Sequence, residues 1–378
     1  MKSSLKKLAT FSILCLFFLT SCKKDTINNE TSPIAGEEQT LKAEADRTIQ
    51  SQENSVAAFE KEFAEMMKNV PSENNLSGGQ KNIVQIASSL PIFKSLVAAV
   101  VKTDLAGTLS SASLNATVFA PTDGAFAKLP APFNNAANIS AISDPAQIAA
   151  LKNILLYHVL GTEVKRGQIQ SGRSSVQTLK PAGTGNDNTI YLSNSLGLLF
   201  VNGNSLVLLA NVDASNGVIH VIDNVLLPPS QNIAQIAIGN PAFSTLVAAL
   251  VKTNLAGVFA GNGDFTVFAP TNPAFAKLPA PFNNAQNIAA ISSPAQIAAL
   301  SNILTYHVTG SRYFAWDLGI FNQITTLAAA PNNKLTGLLG INSAYVKGKQ
   351  NPSFSRANPS NILATNGVVH VIDQVLLP

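Results

Sequence analysis

Forty-three consecutive residues, Thr117 to Val159, recur as Thr266 to Val308 with 36 positions identical. The repeat reaches further on both sides. Leu90-Pro91-Ile92-Phe93 through Gly107 returns as Asn240-Pro241-Ala242-Phe243 through Gly257. Asn216-Gly217-Val218-Ile219-His220-Val221-Ile222-Asp223 returns as Asn366-Gly367-Val368-Val369-His370-Val371-Ile372-Asp373. Each copy runs ~150 residues and ends on Leu-Leu-Pro, at Pro228 and at Pro378. A repeat of that length is a whole domain with its own core, not one turn of a solenoid. The chain therefore divides into domains over 81–229 and 230–378, after an N-terminal stretch that is not repeated.

Local patterns give the order of elements within each copy. Ile83, Ile86, Ala87, Leu96, Val97 and Val100 fall at helical spacing, interrupted near Pro91. Thr117-Val118-Phe119-Ala120 is a short strand stopped by Pro121, and Asp123 or Asn272 suits the cap of the helix that follows. Pro273 is expected at that helix's first position. Asp144-Pro145 and Ser293-Pro294 open a second helix, which runs through Leu151 and Leu155 to Tyr157 and His158. Strand-like runs follow at 189–192, 198–201 and 205–209, and Asn202-Gly203 and Asn216-Gly217 between them are hairpin signals. Helices first and antiparallel strands later predict an α+β class.

The first 22 residues read as a secretory signal: Lys2, Lys6 and Lys7, then about a dozen apolar residues, too few to span a bilayer. Leu19-Thr20-Ser21-Cys22 looks like a bacterial lipobox, which implies lipidation of Cys22 and a chain held in a bacterial cell envelope, in the outer membrane by expectation, with its face open. The other cysteine, Cys15, lies inside the signal, so the mature chain is left without thiol chemistry or a disulfide. Acyl chains contribute ~0.8 kcal/mol per buried methylene, so two or three make a lasting anchor. Residues 23–80 form a polar linker containing an amphipathic helix over 41–70. Its apolar stripe is Ile49, Val56, Phe59, Phe63, Met66 and Val70.

Charge excludes one class of partner. Residues 81–378 carry sixteen Lys and Arg against ten Asp and Glu, with no basic run longer than Lys165-Arg166. Tracking phosphates needs clustered cations. No nucleic-acid partner is expected.

Three segments then carry a family resemblance. Thr117-Val118-Phe119-Ala120-Pro121-Thr122-Asp123 with Ala125-Phe126 resembles the first signature of fasciclin (FAS1) domains. Leu156-Tyr157-His158-Val159 is similar to the family's Tyr-His segment. Asn216 to Asp223, continuing to Pro228, resembles its second signature. All three occur in order, twice. The resemblance implies two tandem fasciclin-like domains, each a β-sandwich wedge with helices packed on one side, of the kind found in adhesion and matrix proteins and in secreted bacterial proteins. It does not imply catalysis. Animal members bind integrins through the Tyr-His segment and an Asp-Ile pair before the second signature. Here that pair reads Asn211-Val212 and Asn361-Ile362, and an amide poorly replaces a carboxylate on a receptor's metal.

The candidate chemistry is sparse. All four histidines, His158, His220, His307 and His370, are two positions repeated, set among apolar residues. A metal pair, or a base working with Asp223 and Asp373, is weighed against histidines bonded to backbone, and the second is favoured. Tyr157, Tyr306, Asp223 and Asp373 are read with the histidines as structural motif residues. Asp123 as a catalytic acid fails against Asn272, since an amide donates no carboxylic proton. Glu163 is the only Glu after residue 80. No catalytic residue, metal or cofactor is assigned. Where the copies diverge, Arg312, Tyr313 and Trp316 form the candidate ligand-binding cluster, since cations beside aromatics suit sugar rings or a protein anchor. The expected function is a lipid-anchored, non-enzymatic adhesion or interaction protein, its partners a membrane through the lipid and a matrix protein, cell-surface protein or glycan, with self-association open. The alternative is a carbohydrate-binding accessory lipoprotein of a nutrient-uptake system.

Overall fold

A computed structural model describes residues 81–183, 185–195, 197–339 and 344–378. The signal, Cys22 and the 41–70 stretch lie outside the described residues. In the first domain, helices Ile83–Ser89, Lys94–Lys102 and Ala106–Ser110 precede β1 (Ala116–Pro121). Helices Asp123–Phe126, Ala136–Ala141 and Pro145–Leu156 lead to β2 (Val159–Leu160). Then come β3 (Gly172–Gln177), β4 (Thr189–Ser195), β5 (Leu198–Val201), β6 (Ser205–Ala214) and β7 (Gly217–Ile222). The second domain repeats the helices. Its strands are β8 (Phe265–Pro270), β9 (Val308–Thr309), β10 (Ile320–Thr325), β11 (Lys334–Leu339), β12 (Ala344–Lys347), β13 (Ser355–Ala357), β14 (Ile362–Ala364) and β15 (Gly367–Ile372).

Strands in the first domain run in the order β2-β1-β7-β6-β5-β4-β3. The expected antiparallel arrangement holds except at the centre, where β1 and β7 pair in parallel, as do β8 and β15. Both strands of that pair are buried along their whole length. Val118, Ala120, Ile219 and Val221 face a core shared with Ile86, Leu96, Ala99 and Leu155 of the helices. Phe119 and Ile222 face the opposite way, into a second core with Ile190, Leu192, Leu199 and Val201. Burial on two faces explains why these strands read as unbroken apolar runs rather than alternating ones. The fold-back comes from β6, whose register shifts twice between Val207 and Val212. Bulges of this kind bend a strand and raise its twist, so β6 serves both layers of the wedge. In the second domain the same path is divided into β13 and β14 around Asn358-Pro359.

Several local expectations shift by a residue or change partner. The Asp123–Phe126 helix is capped by Thr122, and Pro273 sits at the second helical position, not the first. Asp123 caps a different helix: its Oδ1 accepts from Ser95 N–H at 2.7 Å, at the start of Lys94–Lys102. Asn272 Oδ1 does the same for Thr245 N–H at 2.9 Å. Asn202 and Gly203 both take positive φ, 51° and 71°, as a tight hairpin turn requires. Asn216 does not. It is buried, accepts from Ile83 N–H, and donates to Leu109 and Ser111 carbonyls. Its job is to tie the first helix to the hairpin.

Candidate functional site

The Tyr-His segment sits where the long helix ends. Its C-cap is Tyr157, and Pro145–Leu156 delivers Tyr157 and His158 to opposite sides of the sheet junction. Tyr157 is fully buried. Its hydroxyl donates to Thr189 O at 2.6 Å and accepts from Asn202 Nδ2 at 3.1 Å. Burial pushes this phenol far above its ordinary value. Tyr306 repeats the role, donating to Lys334 O and accepting from Lys349 N–H.

Each histidine spends both ring nitrogens on backbone. His158 Nδ1 donates to Ile154 O at 2.7 Å, which leaves Nε2 to accept Leu226 N–H at 2.9 Å. His307 does the same with Ile303 O and Leu376 N–H, at 2.7 and 2.8 Å. His220 takes the opposite tautomer, with Nε2 donating to Val164 O at 2.9 Å and Nδ1 accepting Asn211 N–H at 3.2 Å. His370 repeats it with Tyr313 O and Asn361 N–H. Burial lowers His158, His307 and His370 to about 4, and lowers His220 in the same direction. A proton added to any of these rings would set a donor against a donor. The tautomers follow from these partners, and the rings staple the helix end and the β2–β3 connection to the sheet.

The two aspartates are braces as well. Asp223 Oδ1 accepts Leu206 N–H at 2.7 Å and Asn224 Nδ2 at 2.9 Å. Burial, the largest influence, raises its pKa despite Lys128 nearby. Asp373 Oδ1 accepts Ser355 Oγ at 2.7 Å. Asn211 and Asn361, both at left-handed φ of 62° and 60°, turn their Oδ1 atoms inward to Arg166 N–H and Ala315 N–H. Among the described residues, no three His, Cys, Asp or Glu side chains come together as a metal site would need.

The Arg312, Tyr313 and Trp316 cluster lies against the first domain rather than on an open surface. Arg312 is 4% exposed and Trp316 8%. Arg312 Nε donates to Asp264 Oδ1 at 2.6 Å, and Nη1 to the Ala364 and Gly367 carbonyls. Its guanidinium lies over the Tyr191 ring of the first domain, 4.1 Å from the centroid. In return, Arg173 of the first domain covers Tyr313 at 3.9 Å and donates to Arg312 O. Phe314 meets Tyr191, and Trp316 meets Phe200, with ring centroids 5.9 and 4.8 Å apart. Asn361 Nδ2 donates to Gly203 O and Asn204 Oδ1, both at 3.0 Å. Interlocked cation–π pairs of this kind give orientation as well as energy. A bound sugar could not reach Arg312 or Trp316 without parting the domains.

The residues that receive this cluster, Arg173, Tyr191 and Phe200, were not singled out in the sequence. One signal was there. The repeat puts Glu163, Lys165 and Gly167 where the second copy has Arg312, Phe314 and Trp316, so a one-sided contact is written as a loss of likeness between the copies.

A family model described as the fasciclin domain matches residues 91–228 and 241–378. The chain is 30% identical over 262 residues to transforming growth factor-beta-induced protein ig-h3 of Sus scrofa, covering 69% of this chain and 34% of that protein. It is 34% identical over 160 residues to protein sll1483 of Synechocystis sp., covering 42% of this chain and 79% of that protein. Among solved structures it is similar to a FAS1 domain pair from the insect cell adhesion molecule fasciclin I. That likeness has 17% identity and a TM-score of 0.35, over 74% of this chain and 92% of that one. The chain spans about a third of the length of the pig relative.

Proposed function

The chain belongs to the fasciclin domain family, and on that premise we propose a non-enzymatic adhesion or interaction protein of a bacterial cell envelope, lipid-anchored through Cys22. One observation carries the non-catalytic part. The polar residues shared by both copies (His158 with His307, His220 with His370) have both ring nitrogens engaged by backbone. A general base needs a nitrogen within reach of a substrate proton, and these rings are buried. The lipobox Leu19-Thr20-Ser21-Cys22 supports the anchor.

The test is binding of residues 81–378, which hold both pairs of cores, to matrix proteins and cell-surface glycans. Saturable binding that survives His220→Ala and His370→Ala in folded protein supports the reading. Turnover of a substrate that disappears in those variants would replace it. Radiolabelled palmitate incorporated into the wild type and lost in Cys22→Ser tests the anchor separately. The carbohydrate-binding alternative no longer has Arg312 and Trp316 as an accessible platform.

A further inference from the structure

Asparagine followed by glycine occurs four times, at Asn202, Asn216, Asn262 and Asn366. The pair is chemically labile. The glycine nitrogen can close a five-membered ring on the asparagine Cγ because no Cβ crowds it, provided that the amide is free to turn towards it. Three of the four are locked. Asn202 donates to Tyr157 Oη and accepts Tyr191 N–H. Asn216 accepts Ile83 N–H and donates to the Leu109 and Ser111 carbonyls. Asn366 repeats this with Ile233 N–H and the Phe259 and Gly261 carbonyls. All three asparagines are buried, and Gly217 and Gly367 are fixed in β7 and β15.

Asn262 is placed differently. It lies exposed in the connection before β8, and among the described residues neither its amide nor the Gly263 N–H makes a hydrogen bond. Packing requires a glycine after it, since a Cβ on Gly263 would run into the Phe265 ring. The first copy has Ala112-Ser113-Leu114-Asn115 in this place, so the labile step belongs to the second domain alone. The residues on either side are anchored. Gly261 O accepts Asn366 Nδ2 at 2.8 Å, and Asp264 Oδ1 accepts Arg312 Nε at 2.6 Å. One anchor ties the connection to its own domain. The other holds the guanidinium that lies over Tyr191 of the first domain.

We propose that Asn262-Gly263 is a site of spontaneous deamidation that loosens the contact between the domains as the protein ages. Gly263 N bonds to Asn262 Cγ, the Cγ–Nδ2 bond breaks, and Nδ2 leaves as ammonia with the proton that Gly263 N gives up. Water then opens the cyclic imide at one of its two carbonyls. Opening at Cγ leaves aspartate. Opening at the main-chain carbonyl leaves isoaspartate, whose backbone runs through the former side chain. Nothing is oxidised or reduced. Both products put a second negative charge two residues from Asp264. Isoaspartate also adds one backbone atom between Gly261 and Asp264, so the two anchors no longer fit together and the grip on Arg312 is released.

In the experiment, the full chain carrying Cys22→Ser is held in warm, mildly alkaline buffer while peptide mapping follows each Asn-Gly step. Asn262 is expected to convert at least about tenfold faster than Asn202, Asn216 or Asn366, which must first open locally. In urea the four are expected to react at similar rates, which assigns the difference to the fold. Trp316, the one tryptophan, reports the consequence: it is buried against Phe200, so its emission is expected to move to the red in aged protein. Asn262→Ser is expected to match the fresh parent in circular dichroism and emission and to abolish the shift on ageing. Conversion at Asn262 no faster than at the other three overturns the proposal. So does isoaspartate at Asn262 with unchanged emission, and so does a red shift that Asn262→Ser retains.

Discussion

The guanidinium of Arg312 is held between two partners from different copies of one fold: Asp264 Oδ1 of its own domain at 2.6 Å and the Tyr191 ring of the other at 4.1 Å. Asp264 keeps half its side-chain surface in water, so the ion pair itself is partly screened. The bonds from Nη1 to Ala364 and Gly367 carbonyls are buried. Arg312→Ala should therefore lower the stability of the second domain by about 2–4 kcal/mol through lost charge-assisted hydrogen bonds. Tyr191→Ala should cost about 1–2 kcal/mol, chiefly through the domain contact. Calorimetry with small-angle scattering separates them: the arginine variant shifts an unfolding transition, and both enlarge the radius of gyration.

Trp316 Nε1 has no hydrogen-bond partner among the described residues although it is buried. Trp316→Phe keeps a ring against Phe200 and removes the orphaned donor, so it should change stability by no more than about 1 kcal/mol. Trp316→Ala leaves a cavity between the domains and should cost about 3 kcal/mol or more. Equal losses from the two in urea titrations would show that the indole nitrogen matters and that the packing argument is misplaced.

The histidines make stability pH-dependent with a definite sign. In the unfolded chain they titrate near 6.5, and in the fold His158, His307 and His370 are depressed to about 4. Between those values the unfolded state binds more protons, so stability is complete above about pH 7 and drains away as pH falls from 6.5 towards 4. Each ring contributes on the order of 2–3 kcal/mol to that loss. Asp223 and Asp317, whose pKa values burial raises, act in the opposite sense by taking up protons in the fold first. Urea midpoints across this range should fall with acidity, and His158→Gln should flatten the slope.

Asp123 and Asn272 fill the same place and accept the same kind of bond, from Ser95 and Thr245 N–H. Asp123→Asn is expected to be close to neutral, and Asp123→Ala to cost about 1–2 kcal/mol, as for a lost helix cap. Thermal unfolding reads both. An asparagine variant as damaged as the alanine one would mean that the carboxylate's charge, not its oxygen, is what the helix start requires.

A Cβ on Gly217 would lie 1.9 Å from Ala116 O, at a φ of 142° that side chains rarely adopt. Gly217→Ala should cost about 3–5 kcal/mol by forcing apart the parallel β1–β7 pair. Gly107→Ala, with nothing within 4 Å, should be neutral or slightly stabilising. The two variants side by side in denaturant melts separate crowding from a general intolerance of substitution.

The duplication, the helix starts at Asp144-Pro145 and the Asn202-Gly203 turn were legible because they depend on neighbours a few residues away. The parallel pairing of β1 with β7 was not, because an apolar strand buried on both faces carries no mark of its partner's direction. Asp123 read correctly as a capping oxygen but not as the cap of a helix almost thirty residues earlier, since local spacing cannot say which helix start comes within reach. Arg312 and Trp316 read as surface chemistry because a charged residue and the one tryptophan usually lie at least partly outside. What buries them is Tyr191 and Phe200, more than a hundred residues upstream, and no periodicity connects the two regions.

The strand that opens each sheet is completed by the strand that closes it: Ala116 waits for Gly217, and Phe265 for Gly367. Close to a hundred residues must leave the ribosome between them. Loops of that size make nucleation slow and leave apolar edges bare in the meantime. The cell that makes this chain must therefore shelter each half-built module until its final strand is available, and the earlier module is finished before the later one begins to compete for it.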